Sequence, residues 1–115
     1  MSEVYDEVNA DSLVIYKYKL AVVDEQVVNM PAGARVLSVG GQEGELVAWA
    51  LVDQAATPEP IMFTVFGTGV PVPRSVRPQL GYTAHGTAGD FVGTAQVKRE
   101  MWGNFVAHVW VKRAG

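Results

Sequence analysis

Short runs of β-branched and aromatic residues recur along this chain, and each run is closed by glycine, proline or another turn-forming residue. In the first run Val14, Tyr16 and Tyr18 alternate with Lys17 and Lys19, which is typical of a half-buried strand. No window sustains the three- and four-residue apolar spacing of a helix. The predicted strands are residues 13–20, 27–30, 35–39, 46–52, 61–66, 91–98 and 105–112.

Seven short strands separated by turn signals predict an all-β, single-domain sandwich or small barrel. Glycine-rich residues 40–44 predict a hairpin between the third and fourth runs, and the last two runs form another hairpin. Residues 46–52 are apolar on both faces, which indicates a strand central in a two-layer core or one lying partly in a subunit interface. From this strand we expect a homo-oligomer, most simply a symmetric dimer.

The chain of 115 residues fits one domain, and a hydrophobic fraction of 49% is ample for a packed core. Residues 1–11 contain four acids and little to bury, so we expect a flexible acidic N-terminal arm followed by a single β domain over residues 12–115.

Cysteine is absent, which excludes disulfides, thiol catalysis and cysteine-based zinc sites and suits a reducing cytoplasm. No apolar run approaches the roughly 20 residues needed to cross a bilayer. The acidic N-terminus lacks the basic-then-apolar order of a signal peptide. We therefore expect a cytoplasmic protein with no membrane partner.

Charge is distributed unevenly along the chain. Residues 1–59 carry ten acids and three bases, a balance of −7, whereas residues 60–115 carry two acids and six bases, a balance of +4. Such asymmetry is a hint of an anionic partner, although a sheet that interleaves the two halves would cancel it. The net charge of −3 argues against extended nucleic acid as that partner.

The search for catalytic chemistry is negative. The sequence has no nucleophile-elbow motif and no phosphate-binding loop ending in Gly-Lys-Ser/Thr. Its two histidines, His85 and His108, lack a carboxylate cluster at metal-ligand spacing. We interpret His108 as a half-buried, hydrogen-bonded strand residue and His85 as an exposed loop residue. We predict no enzyme activity, no metal and no cofactor.

The most distinctive segment runs from Gly67 to Arg77. Gly67 and Gly69 expose backbone amides, Thr68 supplies a hydroxyl, and Arg74 and Arg77 supply fork-shaped donors, a set that can hold a phosphate or carboxylate. Nearby prolines limit the entropy lost on binding. The alternative is a tight turn without a ligand, and the missing third glycine and helix exclude a dinucleotide fingerprint.

The final hairpin brings cations near aromatic rings. Lys98, Arg99 and Trp102 precede a strand with His108 and Trp110, and such residues can pair with phosphates and stack on bases. The alternative is that these aromatic residues are ordinary β-core content. Together with the preceding segment, the predicted ligand-binding residues are Gly67, Thr68, Gly69, Arg74, Arg77, Lys98, Arg99 and Trp102.

Several motifs occur here in a recognisable order: Ile15-Tyr16-Lys17-Tyr18, residues 23–34, residues 46–53, Phe66-Gly67-Thr68-Gly69 with Pro71 and Pro73, Gly93-Thr94-Ala95-Gln96 and residues 105–109. Over residues 13–111 this order resembles an uncharacterised family of small β proteins encoded by phages and prophages. The resemblance implies a genomic setting, and with it the host-cell cytoplasm, but no catalytic residues.

Two functions follow as hypotheses. The first is a phage-type accessory protein that sequesters a small anionic, nucleotide-derived ligand as a counter-defence sponge. The alternative is a structural or protein-interaction protein, such as a minor virion component or an inhibitor of a host protein.

Overall fold

The computed structural model describes residues 12–80, 89–99 and 103–113. The expected arm at residues 1–11 lies outside these ranges, as do His85 and Trp102. Within these ranges seven strands and a 3-10 helix (Arg74–Leu80) are described in chain order. The strands are β1 (Leu13–Lys19), β2 (Glu25–Pro31), β3 (Arg35–Gln42), β4 (Glu45–Asp53), β5 (Pro58–Gly67), β6 (Asp90–Arg99) and β7 (Gly103–Arg113). The predicted all-β class is confirmed.

The strands form two antiparallel sheets, one of three strands in the order β1-β4-β3 and one of four strands in the order β2-β5-β7-β6. Their facing sides share one apolar core, which contains alternate residues of the central strands, such as Ala48 and Ala50 of β4 and Phe63 and Val65 of β5. The remaining residues of each strand lie on the outer faces, so each sheet has an inner and an outer side.

The hairpin of β3 and β4 turns within two residues, Glu43 and Gly44, which have positive φ angles of 53° and 84°. Gly40 and Gly41, predicted as part of the turn, belong to β3 instead. The reason is a close approach: a Cβ on Gly41 would stand 1.9 Å from the carbonyl oxygen of Gln96 in β6. Glycine therefore lets the two sheets meet along the β3–β6 side.

Proline is present in both β2 and β5, where the ladder tolerates it. In β2, Pro31 stands at the sheet edge, and its missing N–H would face away from β5. In β5, Pro58 and Pro60 precede Ile61, the first β5 residue paired with β7. The strands therefore extend further than predicted because no neighbouring strand requires the absent N–H groups.

Strand β4 is central in the three-stranded sheet, between β1 and β3. Leu46, Ala48, Ala50 and Val52 enter the core. On the outer face Trp49 lies over β3, where a Cβ on Gly40 would stand 3.0 Å from its ring. The strand is thus central in a two-layer core, while the subunit interface on its outer face and the expected oligomer remain predictions.

The segment after β5 contains a 3-10 helix that sequence patterning did not predict. A helix of seven residues at three residues per turn is too short to show amphipathic periodicity, and Pro78 obscures it further. It is fixed by one buried side chain, Val76. In the described ranges no helix has the length and apolar character to cross a membrane.

Candidate functional site

A groove of about 510 Å³ opens beside the 3-10 helix, on the outer side of the four-stranded sheet. The described residues that line it are Val72, Arg77, Leu80 and Trp110. The location follows from strand parity: Phe63 and Val65 enter the core, so Met62 and Thr64 point outward, and Trp110 pairs with Thr64. The groove is therefore built from a strand and from the segment that crosses over it.

Aromatic rings form one side of this region. Trp110 pairs with Phe91 of β6, and the two rings meet edge to face with centroids 5.1 Å apart and an interplanar angle of 64°. Phe91 is 56% exposed. An exposed phenyl ring next to a half-buried indole leaves apolar area that a planar ligand can cover.

Side chains three residues apart lie on the same side of the 3-10 helix. Val76 and Gln79 face the sheet: Val76 is buried, and the Gln79 amide Nε2 lies 3.9 Å from the Met62 sulfur. Arg77 and Leu80 lie on another side and line the groove. Arg74 is one turn earlier on that side, is exposed, and is not among the described lining residues.

Arg77 has no ion pair and no hydrogen bond within the described residues, although it is half-buried. A guanidinium offers five N–H donors in a rigid fork that matches a carboxylate or a phosphate. Among the described residues that line the groove, Arg77 supplies the cation and Trp110 supplies an indole ring. The arrangement can hold an anion next to an aromatic surface.

The predicted Gly67-Thr68-Gly69 segment forms the turn that leaves β5. The carbonyl of Gly67 accepts a hydrogen bond from the Val70 N–H at 3.2 Å, and Gly69 has a φ of 81°. A Cβ on Gly67 would stand 2.5 Å from the ring of Phe105, so glycine is required by packing. The structural reasons for these residues are therefore the turn and its packing.

His108 is held by two threonines. Its Nε2 lies 2.8 Å from the Thr68 hydroxyl, and its Nδ1 lies 2.9 Å from the Thr94 hydroxyl. The expected half-buried, hydrogen-bonded histidine is confirmed. Because His108 and Trp110 are two residues apart on the same outer side of β7, this cluster borders the groove and ties the turn to the sheet.

The other predicted cations lie elsewhere. The Lys98 N–H donates to the Gly44 carbonyl at 2.9 Å, and its side chain lines a second pocket of about 220 Å³ with Lys19 and Glu45. Along β6, Lys98 is seven residues beyond Phe91, or about 23 Å at the rise of a strand. The structure does not bring Lys98 to the groove. The side chain of Arg99 and the whole of Trp102 lie outside the description.

Sequence reasoning named Arg77 but missed Val72 and Leu80 as groove residues, and it missed Phe91 as the ring that packs against Trp110. The available signal was the register of the last hairpin, which places Phe91 opposite Trp110 and Thr94 opposite His108. Within the described ranges no group of three His, Asp or Glu side chains could hold a metal ion.

Comparison with family models places the chain in a family. Residues 12–115 match a domain of unknown function (DUF7352), and the chain belongs to that family. No curated protein and no solved structure is found to match it. The family assignment supplies neither a ligand nor a reaction, so the functional argument depends on the groove.

Proposed function

We propose that this DUF7352 domain is a non-catalytic binding protein that retains a small anionic, nucleotide-derived ligand in the groove beside Trp110. The observation that carries the proposal is the guanidinium of Arg77, which has no ion pair or hydrogen bond among the described residues, in a concave site that also contains an indole ring. A cation and an aromatic face within one concavity suit a ligand with a phosphate and a planar ring.

The groove has a size suited to such a ligand. Its volume of about 510 Å³ falls inside the range of about 300–1,000 Å³ that is usual for small-molecule sites. Apolar Val72 and Leu80 would contact the ring, while Arg77 would bind the anionic end. Pro71 and Pro73 precede the helix and limit the conformational freedom that binding would remove.

Retention without turnover is the proposed role, since a captured nucleotide signal is removed from circulation by binding alone. Phage origin belongs to this proposal and comes from the sequence resemblance, whereas the counter-defence role is motivated by the charge asymmetry and the Gly67–Arg77 segment. The absence of a recognisable catalytic motif in the sequence favours capture over hydrolysis.

The test compares two arginines of one helix. Calorimetric titration with nucleoside mono- and diphosphates, cyclic dinucleotides and ADP-ribose should yield at least one ligand bound by the parent protein. Arg77→Ala should then weaken binding by about 1.5–3 kcal/mol, the usual contribution of charge-assisted hydrogen bonds. Arg74→Ala removes the same charge outside the described lining and should change binding by less than about 0.5 kcal/mol.

Three results would contradict the proposal. One is the absence of binding or thermal stabilisation by any ligand of the panel, since a hundredfold excess over Kd should stabilise the fold by about 2.7 kcal/mol. Another is equal weakening by both substitutions, which would indicate a long-range charge effect. A third is chromatographic detection of a ligand product, which would indicate an enzyme.

The second candidate function, a structural or protein-interaction role, is favoured by the outer face of the three-stranded sheet. Ile15 is 60% exposed there, Leu37 is 43% exposed, and Trp49 is half-buried beside them. Apolar residues exposed together mark interaction surfaces. Two results together would favour this role over capture. The parent would bind no ligand of the panel but would bind a defined protein partner, and Ile15→Lys would abolish binding of that partner.

A further inference from the structure

Strand β2 is an open edge of the four-stranded sheet in the described part of the chain. Two hydrogen bonds at its ends define which residues face its neighbour: Ala32 N–H to Thr57 O at 2.8 Å, and Val65 N–H to Asp24 O at 3.3 Å. Both continue the β2–β5 register, so even-numbered residues of β2 bond to β5. The N–H and C=O groups of Glu25, Val27 and Asn29 therefore point to the free edge.

This edge carries little protection against pairing. Proteins usually block an edge strand with charged side chains, proline or a bulge. The charged residue and the proline of β2, Glu25 and Pro31, stand at its two ends, so the centre of the edge at Val27 has no such block. Glu25, Val27 and Asn29 are all exposed, and Val27 is 59% exposed.

Strand β1, the open edge of the other sheet, shows the usual protection. The bonds Leu20 N–H to Leu46 O and Gln54 N–H to Ser12 O, each 2.9 Å, place the odd-numbered residues of β1 at its free edge. These residues include Lys17 and Lys19. Antiparallel pairing of two β1 strands around Lys17 would place like charges opposite each other.

We propose that two copies of this chain associate through β2, antiparallel, around a twofold axis at Val27. Val27 then lies opposite Val27 of the second copy, and Glu25 lies opposite Asn29. All three are free-edge residues, so each matched pair exchanges main-chain hydrogen bonds. On the outer side, the Glu25 carboxylate accepts a hydrogen bond from the Asn29 amide of the second copy, and two valines cover each other.

This association joins the two four-stranded sheets into one of eight strands. The groove beside Trp110 then opens on the same side in both copies, with the two β7 strands about 24 Å apart at the usual strand spacing. The inference is independent of the proposed ligand, because no groove residue is at the edge.

Sedimentation velocity of the full chain at micromolar to hundred-micromolar concentration tests the association. We expect a species of twice the 12.4 kDa chain mass, and we expect Val27→Lys to weaken association about tenfold or more, because it places two ammonium groups opposite each other. Ile15→Lys is the matched control: Ile15 is equally exposed, at 60%, but lies on the β1 edge. A parent that is only monomeric, or a dimer weakened by Ile15→Lys and not by Val27→Lys, would overturn the proposal.

Two measurements test the register and do not depend on Val27. Asn29→Lys should tighten association and Asn29→Asp should weaken it, each by about twofold to tenfold, because residue 29 faces Glu25 of the second copy. Amide exchange should show protection of the Glu25, Val27 and Asn29 N–H groups that is lost on dilution, while the Gln26 and Val28 N–H groups stay protected. Equal responses to both Asn29 variants, or protection independent of concentration, would refute this register.

Discussion

The outer faces of the two sheets differ in what lies over them. On the four-stranded sheet Thr64 and Phe66 point outward yet are buried, Thr64 to 1% exposure, in the sheet that the segment after β5 crosses. On the three-stranded sheet Ile15 and Leu37 remain exposed. The cause is connection length: β5 is followed by more than twenty residues before β6, whereas β3 turns into β4 within two.

The difference shows how a small β domain acquires a concave site. A bare sheet face is nearly flat, and small ligands bind in concavities that cover most of their surface. The covering segment of the four-stranded sheet creates a concavity by leaving a gap between its helix and Trp110. The three-stranded face has no such segment in the described chain, and Ile15 and Leu37 stay exposed on it.

The largest stability difference is expected from shortening one aliphatic side chain on each face. Val76→Ala should cost about 2 kcal/mol, because it removes buried methyl groups from the anchor of the covering segment. Ile15→Ala should cost less than about 0.5 kcal/mol, since its side chain is mostly exposed. Urea unfolding of both variants at one protein concentration measures the difference. Equal costs would mean that the covering segment does not depend on Val76.

A smaller difference is expected from polar contacts on the two faces. Thr94→Val leaves Nδ1 of half-buried His108 without its hydroxyl partner and should cost about 1 kcal/mol. Glu45→Gln removes the exposed ion pair of Lys19 and Glu45, whose charged atoms are 2.8 Å apart, and should cost less than about 0.5 kcal/mol. Urea unfolding of both variants and the parent under the same conditions measures the two losses in free energy of unfolding. A larger cost for Glu45→Gln would show that the three-stranded face is the more tightly held.

The smallest effect concerns alkaline pH and the inner side of the three-stranded sheet. Burial, and secondarily the charge of Tyr16, raises the pKa of Tyr18 above its ordinary value of 10.0. A raised pKa in the folded state means that stability is complete below the unfolded-state pKa and is lost as pH rises above it. Between about pH 9 and pH 11, where tyrosine usually titrates, the free energy of unfolding should therefore fall less for Tyr18→Phe than for the parent. The two proteins should show the same pH dependence near neutrality, and an identical alkaline decline would argue against the burial effect.

Much of the fold could be predicted because the side-chain alternation of a strand and the residues of its turns are visible over a few neighbouring positions. Alternation in β1, the glycine-containing turn between β3 and β4, and the final hairpin each depend on residues close in sequence. The errors were at boundaries: Gly40 and Gly41 were predicted as turn residues, although Gly40 lies against the Trp49 ring and Gly41 meets Gln96, more than fifty residues away. Local patterning has no access to that contact.

The candidate site was predicted only in part, for a related reason. Arg77 was named because it is a cation near a glycine turn, but its position beside Trp110 depends on how the 3-10 helix crosses the sheet. Lys98 was named on equal grounds, and β6 carries it to the opposite end. Charge and residue type identify candidate binding residues in the sequence. The distance between those residues in space depends on strand register and on how the 3-10 helix crosses the sheet.

By itself, the sequence determined the all-β class, the approximate strands, the two hairpins and the half-buried, hydrogen-bonded character of His108. These properties follow from side-chain alternation and turn chemistry, which act over a few residues. The tertiary structure decided that β4 is central, that β3 meets β6 at Gly41, that Arg77 and not Lys98 lies beside Trp110, and that β2 keeps an open edge. Each of these is a contact between segments far apart in the chain, and only the packing of both sheets around one core fixes which segments meet.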